Sequence, residues 1–220
     1  MQKGQVDIGH QTLTIETGKL AKQADGAVTV RYGDTMVIVT ACAASSAREG
    51  IDFLPLTVDY REYASASGRI PGGFFKREGK PTEKEVLTSR LIDRPIRPLF
   101  PSGWSRETQV ISLLLSADED NDSDVLALTG ASAALSISQI PFERPIAAVR
   151  VGIVDDEILI NPTYPERKRS KLDLVVAGSQ DAIVMVESGA QEISEELMLL
   201  ALEKGHDSIR KIIATIEEMT

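Results

Sequence analysis

An α+β fold is predicted by three observations. The first 60 residues carry short runs rich in Val, Ile, Thr and Tyr, separated by tight-turn signals, which is strand grammar. Beyond them, strand-like runs and helical segments are interleaved without the strict alternation of a parallel α/β sheet. The chain has 220 residues, 42% hydrophobic and 26% charged, which suits one domain with a single core.

Strands are expected at 11–16 (QTLTIE), 27–31 (AVTVR), 35–43 (TMVIVTACA) and 53–60 (FLPLTVDY), with Gly33-Asp34 as a hairpin turn. Residues 64–81 hold Gly68, Pro71, Gly72, Gly73, Gly79 and Pro81, so regular structure is not expected there. Thr82 opens a helix, because Thr82 and Glu85 have capping-box spacing. Pro95 is expected to end it, since the residue before a proline avoids the α region. Residues 108–116 (TQVISLLLS) read as a buried strand. Residues 124–138 read as a helix whose Gly130, Ala131, Ala133 and Ala134 permit close approach to a sheet. Strands follow at 146–154, 157–160, 172–177 and 182–187, with turns at Asp155-Asp156 and Gly178-Ser179. Leu197, Leu200, Ala201, Ile209, Ile212, Ile213 and Ile216 place a helix over 192–218, with Gly205 as a candidate break.

Charge is unevenly spread. The chain carries −9 overall, yet residues 61–106 hold ten Lys/Arg against five Asp/Glu. A local basic surface on an acidic chain points to a polyanion held at one place, and argues against diffuse adhesion to nucleic acid or membrane. No apolar run approaches the ~20 residues that span a bilayer, and no basic segment followed by an apolar stretch suggests a signal peptide. The single Cys42 lies in the apolar run MVIVTACAA and is expected to be a buried, inert hydrophobe. A lone cysteine fits a reducing, cytoplasmic setting. His10 and His206 are expected at the surface, neither with a plausible second ligand nearby.

Phe74, Phe75, Lys76 and Arg77 form the sharpest motif. Aromatic faces stack on any base and adjacent cations neutralise phosphate, a combination that holds single-stranded RNA without reading its sequence. From the residues alone, the pair equally reads as a hydrophobic anchor for a loop whose charges are solvated. Arg90, Arg94 and Arg97 recur at spacings of four and three, as a phosphate-binding cluster or as surface ion pairs, for example with Asp93. Asp118, Glu119, Asp120, Asp122 and Asp124 lack EF-hand spacing and read as a solvated loop and helix N-terminus. Trp104 reads as a packing anchor. No P-loop pattern occurs, which weakens a phosphotransferase reading.

The segment GRIPGGFFKREGKPTEKEVLTSRLIDRPIRPLFP closely resembles the first RNase PH-like core of the bacterial polynucleotide phosphorylase family. DFLPLTVDYREYASASGRIPG, LTGASAALSISQIPF and SKLDLVVAGSQDAIVMVESGA extend the resemblance in the same order. It implies an RNase PH-like (ribosomal S5 domain 2-like) mixed sheet packed with helices, with residues 1–220 as one core within a longer polypeptide. That polypeptide would carry a second core, a helical linker, and KH and S1 domains. The implied reaction is processive, reversible 3′→5′ phosphorolysis in mRNA degradation. Phosphate attacks the terminal phosphodiester, the bond to the penultimate ribose O3′ breaks, and a nucleoside 5′-diphosphate leaves. Mg²⁺, single-stranded RNA, inorganic phosphate, nucleoside diphosphates and a homotrimeric ring are the implied cofactor and partners. The loop with Phe74 and Phe75 would line the ring's pore, with Lys76 where the family usually has arginine. The position of Arg94 matches an arginine that contacts attacking phosphate in catalytic cores.

The same resemblance implies that this core is degenerate. Ser123 and Asp124 fall where catalytic cores have adjacent serines. Arg167 and Asp173 fall at two aspartate positions and Val175 at a lysine. One serine, one aspartate and the lysine are therefore missing, so no catalytic residue and no metal ligand is assigned here, and Mg²⁺ ligands are expected in the second core. The alternative is a non-catalytic RNA-binding or scaffold ring subunit, complete at this length.

Overall fold

The computed structural model describes residues 1–47, 50–74 and 76–220. Among them, strands β1 (Gln2–Ile8), β2 (Gln11–Thr17), β3 (Gly26–Tyr32), β4 (Thr35–Ala43), β5 (Leu56–Glu62) and β6 (Thr108–Ser116) form a six-stranded sheet in the order β1-β2-β3-β4-β6-β5. Its pairings are antiparallel except β5 with β6, which run parallel. Parallel neighbours need a crossover, and helix α1 (Glu83–Ile96) supplies it. Strands β7 (Ala147–Val154), β8 (Glu157–Ile160), β9 (Leu172–Gly178) and β10 (Ile183–Ala190) form a second, antiparallel sheet in the order β10-β9-β7-β8.

Helix α2 (Asp124–Ser136) lies between the sheets. Its residues from Asp124 to Leu135 are all buried, as expected of a helix that is apolar all round. It packs on β3 and β4 on one side and β7 on the other. Gly130 permits this approach: a Cβ there would sit 2.6 Å from Val39 Cγ2 and 3.1 Å from Val30 Cγ2. Gly130→Ala is expected to destabilise the protein by about 1–3 kcal/mol through overpacking, read from urea unfolding. An unchanged midpoint would mean that the helix does not sit so tightly on the sheet. Helix α4 (Glu195–Glu218) crosses the far face of the second sheet. Every residue of β7 is buried between the two helices, which is why AAVRVGIV is nearly continuous in apolar character.

Several expectations change. β1 and the short helix α3 (Tyr164–Arg169) were not anticipated. A 3₁₀ turn spans Ala64–Ser67 in the segment expected to be irregular. Pro95 lies inside α1, which continues to Ile96 and runs on into a 3₁₀ turn at Arg97–Leu99. A proline in the last turn removes only one amide donor, so the helix tolerates it. α4 is unbroken at Gly205, where a Cβ would meet Val151 Cγ2 at 3.1 Å. The glycine serves close packing there, not termination. Cys42 is exposed: strand alternation turns Val37, Val39 and Ala41 inward and Cys42 outward. His206 is half-buried, with Nε2 2.9 Å from Ser179 O, whereas His10 is exposed and packs edge-on to Tyr32. Trp104 packs against the core as expected.

Candidate functional site

A cleft of about 550 Å³ opens between α1 and the β9–β10 edge, with the start of α2 as its floor. Asp122, Asp124, Arg150, Arg167, Asp173 and Val175 all line it. The positions singled out in the sequence as replacements for catalytic groups therefore come together in space. Ion pairs line the cleft. Arg150, only 8% exposed, reaches from β7 to bond both Asp124 and Asp173. Arg167, from α3, bonds Asp122 at 2.7 Å and Asp173 at 3.0 Å. Lys84, from α1, lies 3.4 Å from Asp122 and 2.8 Å from Glu62.

Burial alone would raise the carboxyl of Asp122, but Lys84, Arg150 and Arg167 outweigh it and hold the group below its usual value. Asp173 is held low in the same way, its burial offset by Arg150 and Arg167. The acidic run is therefore not simply solvated. Asp124 is a buried and Asp122 a partly buried ion-pair partner, and Asp118 Oδ2 accepts from the amides of Asp34 (3.0 Å) and Thr35 (3.1 Å) to close the β3–β4 hairpin. Only Glu119 and Asp120 are exposed, as expected of the run.

Asp124, buried and paired with Arg150, and the apolar Val175 both line this cleft. Ser123 Oγ is buried and 2.5 Å from Tyr60 Oη. Tyr60 donates to Glu62 at 2.7 Å, so the serine hydroxyl is left to donate to Tyr60. Mg²⁺ does not fit the inner carboxylates: Asp122, Asp124 and Asp173 are paired with guanidinium groups, and a divalent cation would have to displace them.

The three arginines of α1 and the turn that follows it part company. Arg90 and Arg94 lie on its exposed face, Arg94 3.8 Å from Glu187 at the cleft wall. Arg97 turns inward: it bonds Asp93 at 3.0 and 2.7 Å, Leu54 O at 3.3 Å and Leu56 O at 3.0 Å. It is engaged as a brace between α1 and the start of β5, which is the ion pair with Asp93 weighed in the sequence.

The connection from β5 to α1 carries the basic loop. Phe74 is 94% exposed, so its ring is not buried in this core; Phe75 lies outside the described residues. Among the described residues, no ion pair engages Arg69, Lys76, Arg77, Lys80 or Arg90. Two amides at the start of α1, those of Thr82 and Glu85, are already engaged and not open to phosphate. Thr82 Oγ1 accepts from Glu85 N (3.3 Å), and Glu85 Oε2 accepts from Thr82 N (2.6 Å), completing the expected capping box.

Two matches to family models decide the lineage. Residues 10–141 match domain 1 of the 3′ exoribonuclease family and residues 144–208 match its domain 2. The chain belongs to the 3′ exoribonuclease family. Within that family it is 59% identical over 211 residues to the polyribonucleotide nucleotidyltransferase of Koribacter versatilis, covering 96% of this chain and 26% of the relative. It is 58% identical over 215 residues to the enzyme of the same name from Nitrobacter winogradskyi, covering 98% of this chain and 30% of the relative. The chain thus spans less than a third of the length of these curated relatives. Solved structures share the fold: rice (Oryza sativa) Rrp46 at a TM-score of 0.74 and 16% identity, covering 97% of this chain and 95% of that one. An Archaeoglobus fulgidus exosome chain, from a structure with RNA bound to its active site, gives 0.71 and 20%, covering 94% and 88%. The RNase PH-like fold expected from the sequence is thereby shown. The ion-pair network joins the two family segments, since Asp122 and Asp124 fall in the first and Arg150, Arg167 and Asp173 in the second.

Proposed function

We propose that this chain is the RNA-gripping, chemically silent first core of a phosphorolytic 3′→5′ exoribonuclease that converts RNA and phosphate reversibly into nucleoside 5′-diphosphates. The observation that carries this reading is the contrast between the two surfaces. In the cleft that would do chemistry the inner charged groups are tied to one another in ion pairs, while the loop exposes Phe74 and four cations that form no ion pair among the described residues. Phe74, Phe75, Lys76 and Arg77 grip single-stranded RNA by stacking and charge. Arg90 and Arg94 add exposed cations on α1, while Arg97 contributes through the position of that helix. Phosphate activation and Mg²⁺ belong to another core of the full polypeptide, which acts as a cytoplasmic homotrimer in mRNA degradation.

The test is the affinity of the protein for a single-stranded oligoadenylate across a salt series. On a single strand the log affinity falls with log salt by about 0.7 per phosphate neutralised. A slope corresponding to two or more phosphates is the expected result. A flat salt dependence would remove the loop from RNA binding.

A further inference from the structure

The foot of the basic loop is tied down by a set of contacts that the RNA reading does not use. Glu85, 4% exposed, accepts from both ends of the connection. Its Oε2 takes the amide of Thr82 at 2.6 Å, where α1 begins, and its Oε1 takes the amide of Glu62 at 2.8 Å, where β5 ends. Burial would raise this carboxyl, yet those amides and Arg61 hold it below its ordinary value. Arg61 lies 3.3 Å from Glu85 Oε1, stacks over Tyr63 at 5.7 Å and donates from Nη2 to Gly79 O at 3.1 Å. Across the connection, the amide of Ala64 donates to Glu78 Oε1 at 3.0 Å. The outgoing stem at 62–64 and the returning stem at 78–82 are thus joined by one buried carboxylate, one guanidinium and one exposed carboxylate. Glu78 is the only acid among residues 68–81, and it sits next to Arg77.

We propose that Glu78, Arg61 and Glu85 form a clamp that positions the basic loop, making Glu78 and Arg61 positioning residues for RNA binding. The role rests on the RNA reading given above. A long glycine-rich connection that must be ordered on binding weakens affinity, and fixing its stems beforehand lowers that cost. A carboxylate beside a phosphate-binding arginine opposes RNA by charge alone, so its presence at residue 78 calls for a compensating task. Holding the amide of Ala64 is such a task.

Glu78→Ala and Glu78→Gln separate charge from clamp. Both remove the negative charge, but only glutamine keeps an oxygen that the Ala64 amide can donate to. The exposed position makes loss of folding no obstacle. Two quantities are measured on the whole chain: oligoadenylate affinity across a salt series, and hydrogen exchange at the Ala64 amide. The alanine variant is expected to bind about three- to tenfold more weakly than the glutamine variant, with the same salt slope. Its Ala64 amide is expected to exchange about fivefold faster. Equal affinities of the two variants, with the wild type binding, overturn the positioning role. Equal exchange overturns the clamp itself. A wild-type chain that does not bind the oligonucleotide defeats the RNA reading and with it the positioning role, and the exchange comparison still decides whether the clamp exists.

Discussion

Arg150→Met is expected to destabilise the protein by about 3–5 kcal/mol, measured by urea unfolding with an unchanged m-value. Arg150 is the hub of the cleft, bonded to Asp124 and Asp173 and 3.9 Å from Asp122. Its removal does not affect the three carboxylates equally. Asp122 keeps Lys84 and Arg167, and Asp173 keeps Arg167 and a half-exposed position. Asp124 has Arg150 as its ion-pair partner among the described residues and is buried. Burial already pushes the Asp124 carboxyl up, and Arg150 is the main group that opposes this; without it Asp124 must stay charged with no partner or bind a proton, and adding Asp124→Asn to the variant is expected to recover part of the loss. Acid should act in the same direction. Asp122 and Asp173 titrate below their unfolded values, so their contribution is full at neutral pH and is lost as pH falls through the folded values. Wild-type stability is expected to decline between about pH 5 and pH 2 and that of Arg150→Met to decline less. Equal acid slopes would mean that Arg150 does not hold those carboxylates down.

Phe74→Ala and Phe75→Ala are each expected to weaken single-stranded RNA binding by about 1–3 kcal/mol per stacked base, with little change in salt dependence. Phe74 is almost fully exposed, so its truncation should leave the unfolding midpoint unmoved. Arg77→Ala should behave in the opposite sense, lowering the salt slope by about 0.7 because one phosphate contact is lost. Affinity for oligoadenylate across a salt series separates the two. Identical slopes for wild type and Arg77→Ala would show that Arg77 touches no phosphate. An unaltered affinity for both phenylalanine variants would show that the rings do not stack.

Much of this was legible in the sequence, and the exceptions have physical causes. Strands with clear alternation and the capping box at Thr82 and Glu85 stood where expected, because local chemistry specifies them. β1 was missed because QKGQVDI has few β-branched residues and its place is set by pairing with β2. The cleft positions Asp124, Arg167, Asp173 and Val175 were found through resemblance, but the hub was not. Arg150 stands alone in AAVRVGIV, and a single arginine within an apolar strand is itself a signal that a buried acid must await it. Lys84 and Glu62 were overlooked because each is unremarkable in its own segment, and Lys84 meets both Glu62 and Asp122 only once β5, α1 and the segment before α2 are assembled. The acidic run looked solvated for the same reason, since its partners are distant in sequence.

The central claim is that this core holds RNA without performing phosphorolysis. Incubating the purified chain with poly(A), inorganic phosphate and Mg²⁺, and measuring RNA retention and nucleoside diphosphate release in the same sample, tests it most directly. Retention of RNA with no nucleoside diphosphate above background is the predicted result. Robust phosphate-dependent release of nucleoside diphosphate by the chain alone would contradict it.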